Sequence, residues 1–235
     1  MLIIGHRGAA GTHPENTLLS IDAAIAAGAD WIEIDIRRVD GELIVLHDER
    51  LERTTNGSGS VYDLPLGRLR QLDAGNSERI PLLREVLARI AARCGLNIEI
   101  KQPDIATELA ALLRDVLRAL PAWRGKIMVS SFLREPMQEF AMLKPDGVEL
   151  AALSDNTSVA AREFALAIGA TALNVSHAEL TASVVTMAHE RGLRLLVYTV
   201  NETRDIARCR RLNVDGIFTD YPARAIAFLR EQPII

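Results

Sequence analysis

Glu33 and Asp35 stand two residues apart in the run Trp31-Ile32-Glu33-Ile34-Asp35-Ile36. The run reads as a strand, whose repeat of two aims both carboxylates at one face and Ile32, Ile34 and Ile36 at the other. The isoleucines suit packing under helices, so the acids must point into the centre of a sheet or barrel. Two like charges deprived of water repel each other and persist only with a cation, a proton or a basic partner nearby. A second run, Asn97-Ile98-Glu99-Ile100-Lys101, repeats the pattern, with Asn97, Glu99 and Lys101 on one face. Glu33, Asp35 and Glu99 offer hard oxygen ligands, the set that suits one divalent cation, Mg²⁺ or Ca²⁺. The alternative is a buried ion-pair network with Arg7 and Lys101. Those two cations have the chemistry for phosphate oxygens, Arg7 by its fork and Lys101 as a point charge. His6 and His47 add imidazoles that can give or take a proton near neutrality. His13, His177 and His189 lie in a loop, after a strand and in a helix, where surface roles are expected.

These groups need a scaffold that brings them to one place. Leu2 to Gly5 is an apolar strand that ends in the Gly-rich loop His6-Arg7-Gly8-Ala9-Ala10-Gly11, and Pro14-Glu15-Asn16-Thr17 opens a helix running to about Ala27. After the Trp31 run, Asp40-Gly41 is a hairpin dipeptide, and Leu43 to Leu46 is too close behind for a parallel crossover, so it returns antiparallel. That return brings His47 to about the level of Glu33. Residues 48–80 have loop composition with a short helical piece, and Pro81-Leu82-Leu83 starts a helix to Arg93. Strands and helices then alternate to the end of the chain. Without the antiparallel return there are eight parallel strands, each followed by a helix, which predicts an α/β fold of (β/α)8 TIM-barrel type, a single domain over 1–235 with a short insertion at about 48–80 after the second strand. Such barrels carry their sites at the C-terminal ends of the strands. His6, Arg7, Glu33, Asp35, Glu99, Lys101, Ser130, Ser131 and Asn201 all gather on that rim.

Composition narrows the partners. With 27 Lys and Arg against 31 Asp and Glu, the net charge of −4 argues against a general nucleic-acid surface. No run approaches the ~18 apolar residues of a membrane span, and Met1-Leu2-Ile3-Ile4-Gly5 is too short for a signal peptide, so a cytoplasmic protein is expected. Cys94 and Cys209 fall in predicted helices as reduced core residues, with no redox or metal spacing. Nothing in the sequence sets an oligomeric state.

In order along nearly the whole chain, His6-Arg7-Gly8-Ala9, Pro14-Glu15-Asn16-Thr17, Glu33-Ile34-Asp35, His47-Asp48, Arg53-Thr54-Thr55-Asn56-Gly57, Asn97-Ile98-Glu99-Ile100-Lys101, Ser130-Ser131-Phe132, Val197-Tyr198-Thr199-Val200-Asn201 and Thr219-Asp220 resemble the glycerophosphodiester phosphodiesterases, especially the compact cytoplasmic bacterial type. The resemblance implies metal-dependent hydrolysis of a small-molecule glycerophosphodiester to glycerol 3-phosphate and an alcohol. It carries metal binding to Glu33, Asp35 and Glu99, acid and base roles to His6 and His47, phosphate contacts to Arg7 and Lys101, and a supporting role to Glu15. One departure is a turn between Asp35 and Asp40-Gly41 a residue shorter than the family pattern. Two alternatives are weighed against it, a lysophospholipase D acting on lysophospholipids and a barrel that binds phosphodiesters without turnover. The first needs an apolar track that so few aromatics hardly supply, and the second should have lost a histidine or an acid. The same shortage argues against an aromatic cage for choline and for recognition mainly of the glycerophosphate half.

Overall fold

A computed structural model describes residues 1–231 of the chain. Eight parallel strands close into a barrel: β1 (Leu2–Gly5), β2 (Trp31–Val39), β4 (Gly95–Ile100), β5 (Ile127–Ser131), β6 (Val148–Ser154), β7 (Ala172–Ser176), β8 (Arg194–Tyr198) and β9 (Gly216–Thr219). Closure comes from β1, which pairs with both β9 and β2. The hairpin strand β3 (Glu42–Val45) lies antiparallel on the outer length of β2, with Ile36 opposite Val45 and Val39 opposite Glu42. Asp40 (φ 51) and Gly41 (φ 78) take the left-handed conformations that a tight two-residue hairpin turn demands, which the short Asp35-to-Gly41 spacing allows.

The outer ring of helices is α1 (Leu18–Ala27), α3 (Leu83–Ile90), α4 (Ala106–Ala119), α5 (Arg134–Leu143), α6 (Val159–Ala167), α7 (Ala182–Glu190), α8 (Thr203–Arg211) and α9 (Pro222–Glu231), with the short α2 (Leu66–Leu69) inside the 48–80 segment. The strand alternation decides what lies between the layers. Ile32, Ile34, Ile36, Ile98 and Ile100 face outward and pack on the helices in one continuous core. The inward positions split by height. Ile4, Met128, Ala151, Ala172, Leu196 and Phe218 fill the interior with an apolar plug, and the charged side chains sit above it toward the strands' C-terminal ends. Residues 48–80 bury Leu51, Val61, Leu69 and Ile80 with Ile44 and Leu46 of the hairpin, so the segment is anchored to the arm that carries His47. No helix among the described residues is long and apolar enough to cross a membrane.

Two local expectations are corrected. The first helix begins at Leu18, not at Pro14: Thr17 caps it by accepting from the Ser20 amide, while Asn16 (φ 59) turns away toward β2. The helix expected to run to Arg93 stops at Ile90, where Ala91 (φ 49) and Ala92 (φ 57) enter left-handed conformations, so Cys94 is buried in the turn before β4 and not in a helix. Cys209 is in α8 as expected, and burial pushes both thiols up to about 11, the state of inert core cysteines.

Candidate active site

The parallel register dictates which side chains meet. Glu33 pairs with Asn97 and Asp35 with Glu99, so neighbouring strands place the three acids side by side. Gly5 lies opposite Ile32 on one side and Thr219 on the other, which puts His6 level with Glu33 and Asp220. Oxygen atoms of Glu33, Asp35 and Glu99 all lie within 4.8 Å of one another, a set that can hold a metal ion. The residues of the first loop hold this set in place. The Arg7 amide donates to Glu33 Oε2 at 2.9 Å, and Asn16 Nδ2 donates to Asp35 Oδ2 at 2.8 Å. Arg7 (φ 51) and Gly8 (φ 86) bend the loop back over α1, where Ser20 Oγ donates to the Arg7 carbonyl and accepts from the Ala9 amide. A Cβ on Gly8 would come within 2.6 Å of the Ser20 carbonyl carbon, so only glycine permits this approach.

The ion-pair alternative accounts for part of this cluster. Lys101 Nζ lies 2.7 Å from Glu99 and 3.5 Å from Asp35, and Arg7 Nε lies 3.3 Å from Asp35. Glu33 is left out: it is 2% exposed, its nearest cationic side-chain partner is His6 Nε2 at 4.0 Å, and its Oε1 is buried with no hydrogen-bond partner. Burial, then the neighbouring Asp35, push the Glu33 carboxyl up to about 8. Burial and Asp35 likewise push Glu99 up to about 7. Asp35 is held below its usual range because the fields of Arg7, Lys101 and His47, with the Asn16 hydrogen bond, outweigh its burial. Three converging carboxylates, two of them strained toward neutrality and one with an orphaned oxygen, have the donor chemistry of a divalent-cation site.

Each histidine is backed by a carboxylate. His6 Nδ1 meets Asp220 Oδ1 at 2.7 Å, and Asn201 Nδ2 donates to the other Asp220 oxygen. His47 Nδ1 meets Asp48 Oδ1 at 2.5 Å. Arg37, from the outward end of β2, donates twice to the His47 carbonyl, at 3.1 and 2.8 Å, and its Nη1 donates to Tyr62. The hairpin therefore brings His47 to the cavity that Glu33 lines, its register continuing to Ile34 between the two acids, and Asp35 is the largest charge raising its pKa. The two imidazoles end up different. Burial lowers His6, but the Asp220 hydrogen bond and the field of Glu33 overcome it and leave its pKa raised. Burial dominates at His47 and, helped by Arg7 and Lys101, leaves its pKa lowered despite Asp35 and Asp48.

Every residue predicted for the site is at or beside one cavity of about 160 Å³, lined by His6, Arg7, Glu33, His47, Glu99 and Lys101 among others. Asp35 stands beside it, level with Glu99, and Glu15 braces it from the rim, accepting from Arg7 at 2.8 Å and from Arg53 at 2.6 and 2.8 Å. Arg53 also donates to Asp48, so one cation of the 48–80 segment ties the first loop to the His47 dyad. Sequence reasoning assigned no role to Asp220, Asp48, Asn16, Arg37 or Arg53. Asp48 beside His47, and Asp220 at the end of its strand as His6 is of its own, were signals open to it. Arg37 offered only its face.

The family model of the glycerophosphoryl diester phosphodiesterase family matches residues 6–224. The glycerophosphodiester phosphodiesterase of Bacillus altitudinis is 34% identical, with 98% of each chain covered. That of Bacillus subtilis is 32% identical over 94% of this chain and 84% of its own. Among solved structures, an Oleispira antarctica phosphodiesterase in complex with the product sn-glycerol-3-phosphate superposes with a TM-score of 0.88 at 29% identity, covering 97% of this chain and 96% of its own. A glycerophosphodiester phosphodiesterase from Agrobacterium tumefaciens gives 0.82 at 28%, covering 97% and 99%.

Proposed function

The chain belongs to the glycerophosphoryl diester phosphodiesterase family, and from that premise we propose how its residues divide the work. The enzyme hydrolyses glycerophosphodiesters to glycerol 3-phosphate and an alcohol. Residues 1–235 act as one catalytic unit, with the 48–80 insertion supplying Arg53 to the rim. Glu33, Asp35 and Glu99 hold one Mg²⁺ or Ca²⁺ ion, which when bound supplies Lewis acidity toward a phosphate oxygen and neutralises the acid cluster. The single observation that carries this assignment is the buried, unpartnered Glu33 Oε1 beside two further carboxylates.

Arg7 and Lys101 bind the phosphate and offset charge that builds on it in the transition state. His47 is the general base. Its Nδ1 is engaged by Asp48, so the lone pair is on Nε2, and its lowered pKa keeps that nitrogen free at neutral pH to take the proton from the attacking oxygen. His6 is the general acid. Asp220 engages its Nδ1 and sustains its charge, so Nε2 carries a proton for the departing alkoxide. The comparisons favour neither a lysophospholipase D nor a non-catalytic barrel, and the acids and histidines are all present.

The test is an assay over glycerophosphodiesters that differ only in the alcohol, read as release of glycerol 3-phosphate, with Mg²⁺ or Ca²⁺ titrated in after EDTA. Turnover should vanish with the chelator and return with the ion, and choline release from glycerophosphocholine should exceed that from lysophosphatidylcholine. Turnover that survives chelation would remove the metal from the mechanism, and the reverse substrate order would favour the lysophospholipid reading.

The histidine assignment also predicts a pH profile. Asp220 is among the groups that raise His6, so Asp220→Asn lowers the His6 pKa, and the proton the acid needs is lost at lower pH. The alkaline limb of kcat/KM should move toward neutrality while the acidic limb, set by His47, stays in place. A shift of the acidic limb instead would mean that His6 is not the acid.

A further inference from the structure

The cavity has two unlike walls. Its charged groups come from β1, β2, the hairpin and β4, while the wall from β5 to β9 is built from Phe132, Leu153, Tyr198, Thr199 and Phe218 with one amide side chain among them, Asn174. Asn174 lies on β7 between Leu153 and Leu196 of the neighbouring strands, two residues above the plug residue Ala172, and is fully buried. Neither its Nδ2 nor its Oδ1 has a hydrogen-bond partner. Leu173 and Val175 on either side of it face the outer core, so the alternation of β7 turns Asn174 inward.

A buried amide with both ends unpaired is costly in a protein interior, and a water or a ligand group at the cavity must complete it. Which ligand group fits follows from the inventory of donors and acceptors. A phosphate oxygen only accepts and would leave Oδ1 unpaired, and an ammonium only donates and would leave Nδ2 unpaired. A hydroxyl does both. The cavity has room for about five waters at their liquid volume, which suits a three-carbon polyol and not a bulky alcohol.

We infer that Asn174 is a specificity residue that receives a hydroxyl of the substrate's glycerol, on the wall opposite the cations that take the phosphate. Asn97 assists from β4: its Nδ2 donates to Ser130 Oγ at 3.1 Å, and its buried Oδ1 is unpartnered, an acceptor for a hydroxyl proton. The enzyme then recognises glycerol by a neutral amide and the phosphate by charge, which leaves the alcohol half outside this cavity. The inference rests on the proposed reaction and deepens it.

A cycle of enzyme and substrate variants tests it. Glycerophosphocholine is compared with its analogue lacking the terminal glycerol hydroxyl, on the wild type and on Asn174→Leu, a change of similar shape. The wild type should prefer the full substrate by about 10-fold to 100-fold in kcat/KM, because the analogue leaves the amide unpaired. Asn174→Leu should lose most of that preference and turn the two substrates over within about 3-fold of each other. Equal preference in both enzymes overturns the inference. Should Asn174→Leu fail to fold by thermal melting, Asn174→Ala, which only removes atoms, takes its place with the same expected collapse. If the wild type releases no choline from either substrate, the proposed reaction itself fails, a result distinct from unaltered preference.

Discussion

Glu33→Gln is expected to lower kcat/KM for glycerophosphocholine in saturating Mg²⁺ or Ca²⁺ by about 10³-fold or more, the loss of several kcal/mol of charge stabilisation at phosphorus. The substitution keeps the size and shape of the side chain and the acceptor for the Arg7 amide, but it removes the charge that makes Oε1 a ligand. The same variant should behave in the opposite way in stability without metal. A carboxyl whose folded pKa is raised contributes stability that is present in full below its unfolded pKa of 4.5 and is lost as pH rises through its folded value of about 8. Glu99, raised to about 7, adds to the loss over the lower part of that window. The metal-free wild type should therefore melt at progressively lower temperature from about pH 5 to about pH 8, and added Mg²⁺ or Ca²⁺ should reverse the decline. Glu33→Gln in EDTA should melt higher than the wild type in EDTA at pH 8, while gaining little from the ion. Thermal melting against pH with and without metal reads both. Full activity in the variant, or a metal-free melting curve independent of pH, would remove Glu33 from the metal site.

The second large effect separates the two histidines. His47→Ala and His6→Ala should each lower kcat/KM on glycerophosphocholine by about 10²-fold to 10⁴-fold, the usual worth of one general acid or base. Their dependence on the leaving group should differ. Choline departs as a poor alkoxide that needs a proton, whereas p-nitrophenol departs as a stable phenolate that does not. On the p-nitrophenyl ester of glycerol 3-phosphate, His6→Ala should recover to within about 10-fold of the wild type, since the step it serves no longer limits. His47→Ala should stay impaired on both esters, because the attacking oxygen must still lose its proton. The reverse pattern would exchange the two roles, and equal impairment on both substrates in both variants would leave the histidines without an acid and base division. The physical ground is the unequal backing of the rings: Asp220, with the field of Glu33, overcomes burial at His6, and Asp48 with Asp35 does not at His47.

The barrel was legible because its cause is local. Glu33 and Asp35 alternate with three isoleucines, Asn97, Glu99 and Lys101 repeat the device, and a strand with such alternation must face two environments wherever it is placed. The hairpin at Asp40-Gly41 was legible for the same reason, a dipeptide that accepts positive φ between two apolar runs. The start of α1 misled because Pro14-Glu15-Asn16-Thr17 has the composition of a helix opening, and only a contact with Asp35 from another element makes Asn16 leave the helix. Arg37 offered the sequence only its face, the one that Glu33 and Asp35 take, and no partner. It matters because the hairpin folds the His47 carbonyl back onto it.

By itself, then, the sequence determined which strands alternate, that they number eight around a barrel, and which acids, histidines and cations gather on its rim, since these follow from spacing along a strand. Tertiary structure alone decided how those groups are paired. His6 meets Asp220 across 214 residues because the last strand closes the barrel against the first. Closure also leaves Glu33 Oε1 and both ends of Asn174 without partners at one cavity, and it gives the two histidines opposite shifts. Spacing tells which face a side chain takes. What that face meets, and how much water it keeps, is set by the ring as a whole.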